Sequence, residues 1–184
     1  MRKTLFIALM LLAGPAIADE LSPELIRQAI NDTKGEGCYT LGKSFWDGSS
    51  WGCYTTPYSR IVQAAKKARM TYKSFTEADV TPELVAPGEL HVYAFARPMP
   101  DRAQVSDVEA VVISSRGAIV HPLRTEETSV EYRNLMGASL EGKSVTAVFP
   151  LEVLKTAGEV RAVYLGGYNG RYEMKARLNP AKAR

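Results

Sequence analysis

The sequence predicts a mainly β protein: an antiparallel β-sandwich of immunoglobulin-like or fibronectin-like architecture, with two N-terminal helices and a disulfide-closed loop. Three observations carry that prediction. In the last segment Tyr172, Met174, Ala176 and Leu178 alternate with Arg171, Glu173, Lys175 and Arg177, an oily face against a charged one, which is the period of a half-buried strand. Segments of this kind recur at about Leu90–Arg97, Val105–Ser114, Ala118–Leu123, Ser129–Arg133, Ser144–Phe149, Val160–Leu165 and Arg171–Leu178, and such a run must bury its inner faces on one another. Turn chemistry separates them: Pro98-Met99-Pro100-Asp101, Arg116-Gly117, Glu141-Gly142 and the hairpin signal Asn169-Gly170. Between the fifth and sixth segments, Pro150–Lys155 reads as a helical turn closed by Gly158, a fitting crossover between sheets. About seven strands with one such crossover suit a sandwich better than a barrel.

Upstream of the strands lie a leader and an accessory segment. Residues 1–18 read as a signal peptide, with Arg2 and Lys3 in a positive n-region, Leu5–Ala13 as a short apolar stretch and Ala16-Ile17-Ala18 as the cleavage site. Ser22-Pro23-Glu24 starts a helix by cap, proline and acidic first turn, and Leu25, Ile26, Ala29 and Ile30 form its apolar stripe. Thr56-Pro57 repeats that start, followed by Tyr58, Ile61, Val62, Ala65, Ala68 and Tyr72 at helical spacing. Phe75–Gly88, with Pro82 and Pro87, reads as a connector. The expected organisation is therefore residues 1–18 as leader, 19–82 as a helical segment with its loop, and 83–184 as the sandwich.

Cys38 and Cys53 are the only cysteines, and in an exported chain they are expected to pair and close a hairpin with Asp47-Gly48 at its turn. A loop of about 15 residues gains roughly 3 kcal/mol from such a bond on the chain-entropy model.

Composition narrows the class of function. Without the leader the chain has 184 − 18 = 166 residues, the size of one ordinary domain, and 21 basic residues against 20 acidic ones, a net charge of 21 − 20 = +1. A near-neutral exported protein lacks the field of a nucleic-acid binder. Beyond the leader no apolar run is long enough for a transmembrane segment.

The sequence names no reaction, no catalytic residue, no metal ligand set and no cofactor. Hydrolase motifs such as G-x-S-x-G or H-E-x-x-H are missing. Cys38, Cys53, His91 and His121 make a nominal zinc set without the close spacing that pre-organises one. Two groups of residues point to contact instead. Tyr39, Phe45, Trp46, Trp51 and Tyr54 crowd a stapled loop, and rigid aromatics on a constrained loop suit protein or glycan contacts as well as core formation. Lys66, Arg69 and Lys73 make a basic stripe, with favourable charge at a helix C-terminus as its plain explanation. The expectation is an exported, periplasmic or secreted, non-catalytic binding or structural module whose partner is a protein or a cell-envelope component. Two alternatives stand beside it: a small periplasmic enzyme or metal-binding protein using His91 or His121 with loop carboxylates, and a binder of anionic envelope surfaces through the basic helix.

Overall fold

The structure, a computed structural model, describes residues 21–42, 50–96, 105–133, 137, 139–156, 158–166 and 170–182. The leader, Phe45, Trp46, the Asp47-Gly48 turn, the Pro98–Asp101 turn and Asn169 lie outside the described residues. In chain order come α1 (Pro23–Asn31), β1 (Tyr39–Thr40), β2 (Trp51–Thr55), α2 (Pro57–Met70), α3 (Pro82–Val85) and β3 (Glu89–Ala96). Then follow β4 (Val105–Ile113), β5 (Ile119–Val120), β6 (Arg124–Arg133), β7 (Ser139–Pro150), β8 (Glu159–Gly166) and β9 (Gly170–Arg177).

The strands form two antiparallel sheets, β1-β2-β3-β7-β6 and β5-β4-β8-β9. Alternation decides their inner faces: Leu90, Val92, Ala94 and Ala96 of β3 are buried while the residues between them are only partly covered. Val145, Ala147 and Phe149 of the first sheet meet Val108, Val112, Val160, Ala162 and Met174 of the second in one core. The expected crossover is a 3-10 turn, Leu151–Thr156, which carries the chain from β7 to β8 and adds Val153 and Leu154 to that core. The mainly β, two-sheet expectation therefore holds. The strand order differs from the immunoglobulin constant type, in which the second strand of the run pairs with the fifth. Counted from β3, the second strand, β4, pairs with the third and the sixth instead.

Two further corrections concern boundaries. The Cys38–Cys53 hairpin is part of the main sheet: β1 pairs with β2, β2 pairs with β3, and Tyr39, Leu41 and Tyr54 enter the shared core. Just past β1, Gly42 donates its N–H to Lys175 O at 2.9 Å, so the hairpin also joins the last strand and closes the two sheets along one edge. The expected turn at Glu141-Gly142 lies inside β7. A Cβ at Gly142 would meet Ala96 O at 2.9 Å and the Phe95 ring at 3.0 Å, so this glycine serves close approach to β3.

Both helix starts form as their residues dictate. Ser22 Oγ accepts from Leu25 N, and Thr56 and Ser59 make a reciprocal cap at the start of α2. Ala29 of α1, Ile61 and Val62 of α2 and Val85 of α3 bury one another in a small second core, with Ile26, Ile30, Tyr58 and Phe75 around it. Tyr72, expected on the apolar stripe, lies past the end of α2 at φ 57° and is fully exposed.

Candidate functional site

The face of β3 turned away from the main core carries Glu89, His91, Tyr93 and Phe95, one every second residue. Register places β2 beside them, Thr55 opposite His91, Cys53 opposite Tyr93 and Trp51 opposite Phe95. The disulfide Cys38–Cys53, with Cα atoms 5.6 Å apart, fastens the middle of this strip. Its two ends differ. At the Thr55 end Arg60 of α2 covers the sheet, whereas at the other end Trp51 is 52% exposed and leans on Phe95 with ring centroids 6.4 Å apart.

The covered end is a polar chain. His91 Nε2 lies 2.8 Å from Glu89 Oε2, and its Nδ1 lies 3.2 Å from the Tyr93 hydroxyl. Arg124 on β6 reaches Glu89 with both arms of its guanidinium, at 2.8 and 2.7 Å, a bidentate pair of high directionality. Burial raises the Glu89 carboxyl, but the hydrogen bonds from Arg124 and His91 outweigh it and hold the group below the usual carboxylate range. Burial likewise lowers His91, and the nearby Arg60 and Arg124 charges add to that against the pull of Glu89. The imidazole is therefore biased toward its neutral form, with both ring nitrogens engaged.

Arg60 is a structural clip. Its guanidinium is buried and donates to the carbonyls of Leu84, Val85, Ala86 and Glu89 and to Thr55 Oγ1, tying α2 to the chain that leads into β3. Burial pushes its pKa down to about 10. Sequence reasoning missed this residue, because a single arginine between Tyr58 and Ile61 gives no sign that it turns inward.

The remaining candidates separate. Tyr39 is buried in the core against Tyr54, centroids 5.0 Å apart, and burial first, then the Tyr54 hydroxyl, pushes its phenol up to about 12. Lys66 donates from Nζ to Gly35 O at 2.5 Å and Arg69 donates to Ile30 O, so the first two members of the basic stripe hold the C-terminal end of α1 and the loop after it. Lys73 is exposed beyond the end of α2. Both cations thus serve carbonyls at and just beyond the end of α1, not those of their own helix.

His121 lies in a groove that also exposes Asp107 and Glu109 and is not lined by His91. Among the described residues no group of three histidine, cysteine, aspartate or glutamate side chains is placed to hold a metal ion. The chain matches no protein-family model, no characterised protein and no solved structure.

Proposed function

We propose that this chain is an exported, non-catalytic binding module that meets a protein or an envelope component through the open end of the β2–β3 face. The observation that carries the proposal is Trp51: an indole half open to solvent, seated on Phe95 and fixed on a strand that the disulfide anchors. A ring held in that way loses little conformational freedom on contact and removes a large apolar area from water. Export is supported by the leader pattern and by the pairing of the two cysteines. Among the described residues no helix is long and apolar enough to cross a membrane. A non-catalytic reading is supported by His91, whose two ring nitrogens are engaged by Glu89 and Tyr93 as in a rigid link.

The test is capture from an envelope extract by immobilised wild type, Trp51→Ala and Tyr72→Ala. Tyr72 is the control, being fully exposed but off this face. A component retained by wild type and Tyr72→Ala but lost from a folded Trp51→Ala supports the proposal. Equal capture by all three overturns it.

A further inference from the structure

The two sheets are joined along one edge by the Gly42–Lys175 bridge, and among the described residues no such bridge joins them along the opposite edge. There β4 pairs with β8 in unbroken register from Asp107 to Ile113, after a register shift between Val105 and Asp107, yet with β5 only at Val112 and Val120 and at Ile113 and Ile119. The physical reason lies in His121-Pro122. A proline has no N–H to give a ladder, so β5 stops at Val120 and the chain crosses to β6 in the other sheet. The backbone of β4 from Asp107 to Val111 is left with no strand partner among the described residues on that side.

Depressions lie on both sides of this free edge. One, of about 350 Å³, has the five consecutive residues Asp107 to Val111 as one wall and Thr125 and Glu127 of β6 opposite. Side chains of a strand alternate between faces, so a wall of consecutive residues is a backbone edge and not a face. The other, of about 420 Å³, lies on the outer face of the second sheet with Val111, Ile119, Val163 and Leu165 as its apolar floor. Ile119 is 60% exposed and Leu165 42% exposed. An added strand on β4 would send alternate side chains into these two depressions while its backbone continued the ladder that β5 abandons.

We infer that the Asp107–Val111 edge of β4 takes an extended peptide segment in which apolar residues alternate with lysine or arginine. Charge chooses the basic residues. Among the described residues Asp107, Glu109 and Glu127 line the two depressions with His121 and the guanidinium of Arg171, while Lys143 pairs with Glu127 at 2.5 Å and acts electrostatically on Asp107 as well. Asp107 and Glu109 are exposed on the same outer face as Val111, where they favour the cations of the added strand, whose aliphatic stems lie on the apolar floor, and leave its apolar residues to the inner side beside Val108 and Ala110. Backbone hydrogen bonds along the edge supply affinity, and the alternation of pockets supplies selectivity. This site is separate from the Trp51 face and does not depend on it.

The experiment titrates the full mature chain with four capped hexapeptides: alternating valine–lysine, alternating valine–glutamate, and two valine–lysine peptides methylated on every second backbone nitrogen in opposite phases. Amide chemical shifts locate the binding. The valine–lysine peptide is expected to perturb Asp107–Val111, Ile119 and Leu165, and to bind at least about tenfold more tightly than valine–glutamate. One methylation phase removes the edge-facing N–H groups and abolishes binding, while the other retains it. The Asp107→Asn, Glu109→Gln double variant, which alters only exposed side chains, is expected to weaken binding about tenfold and to flatten its salt dependence. Trp51→Ala is expected to leave it unchanged. Equal affinity for the lysine and glutamate peptides, indifference to both methylation phases, or perturbations confined elsewhere would each overturn the inference. Concentration-dependent dimerisation of the chain that blocks the peptide would also overturn it, by giving the edge to a second copy.

Discussion

Between the two sheets the described residues bury twenty apolar side chains, from Tyr39 to Leu178, whereas α1, α2 and α3 bury only Ala29, Ile61, Val62 and Val85 among themselves. The difference in apolar content is matched by a difference in how the elements are fastened. Sheet contacts rest on interlocked aliphatic faces, with ion pairs such as Arg161–Glu159 kept to the outside. Helix contacts rest on cations aimed at backbone carbonyls: Arg60 at Leu84–Glu89, Lys66 at Gly35 and Arg69 at Ile30. A helix cluster with little apolar area can thus be latched by long side chains whose heads satisfy carbonyls that would otherwise face protein without a donor.

The sharpest way to break this contrast is to put a charge on each side of one strand. Met174 is fully buried and Lys175 exposed, so Met174→Asp is expected to cost several kcal/mol in chemical denaturation, and Lys175→Asp within about 0.5 kcal/mol of nothing. Equal midpoints would mean that the core does not lie where the alternation puts it. Next in size is the disulfide. Intact protein is expected to weigh two hydrogens less than reduced protein, and reduction to cost about 3 kcal/mol for a separation of 15 residues. Arg60→Met should follow at about 2 kcal/mol, from carbonyls left without donors. Hydrogen exchange then decides where: amides of α2 and α3 should lose protection while those of β3 and β7 keep theirs. Loss of protection throughout would erase the distinction between the two clusters. Lys66→Met, on a half-buried side chain with one acceptor, should cost less than about 1 kcal/mol.

The smallest effect is pH dependence. His91 is held below its ordinary value, chiefly by burial, so its folding contribution is complete above the unfolded value near 6.5 and is lost as pH falls through its lower folded value. Glu89, also lowered, contributes in the same sense at more acid pH. His91→Gln should therefore flatten the slope just below pH 6.5 and leave the steeper carboxylate region in place. An unchanged slope would show that His91 is not the group responsible.

Much of this was legible in the sequence because it depends on local rules. The seven segments after residue 88 became strands, Ser22 and Thr56 started helices, and Met174 and Lys175 took opposite faces, since period and capping act over a few residues. What was missed depends on partners distant in sequence. Trp51–Thr55 is too short to declare itself a central strand, and only its pairing with Trp51 opposite Phe95 through Thr55 opposite His91 makes it one. Of the candidate contacts, Tyr39 turned inward and Lys66 and Arg69 were taken up by carbonyls of another element, none of which a spacing rule encodes. Trp51 could be singled out as a candidate but not placed, because the side of β2 that faces the core is set by β3. The ladder Glu89, His91, Tyr93, Phe95 had a readable signal, alternation with Leu90, Val92, Ala94 and Ala96, but nothing local joins it to Arg124.

The hydrogen bond from Gly42 to Lys175 gives the chain an order of assembly. α1, β1, β2 and α2 are neighbours in sequence, whereas β9 follows every other strand. The hairpin can form early and find β3, but its outer rim stays unsatisfied until the last strand appears. Loop-closure entropy makes such a contact late and slow. A chain cut before Gly170 would therefore lack this bridge, its sheets linked by the β5–β6 crossing and the 3-10 turn but with one open rim more than the finished protein, and holdase chaperones should bind it.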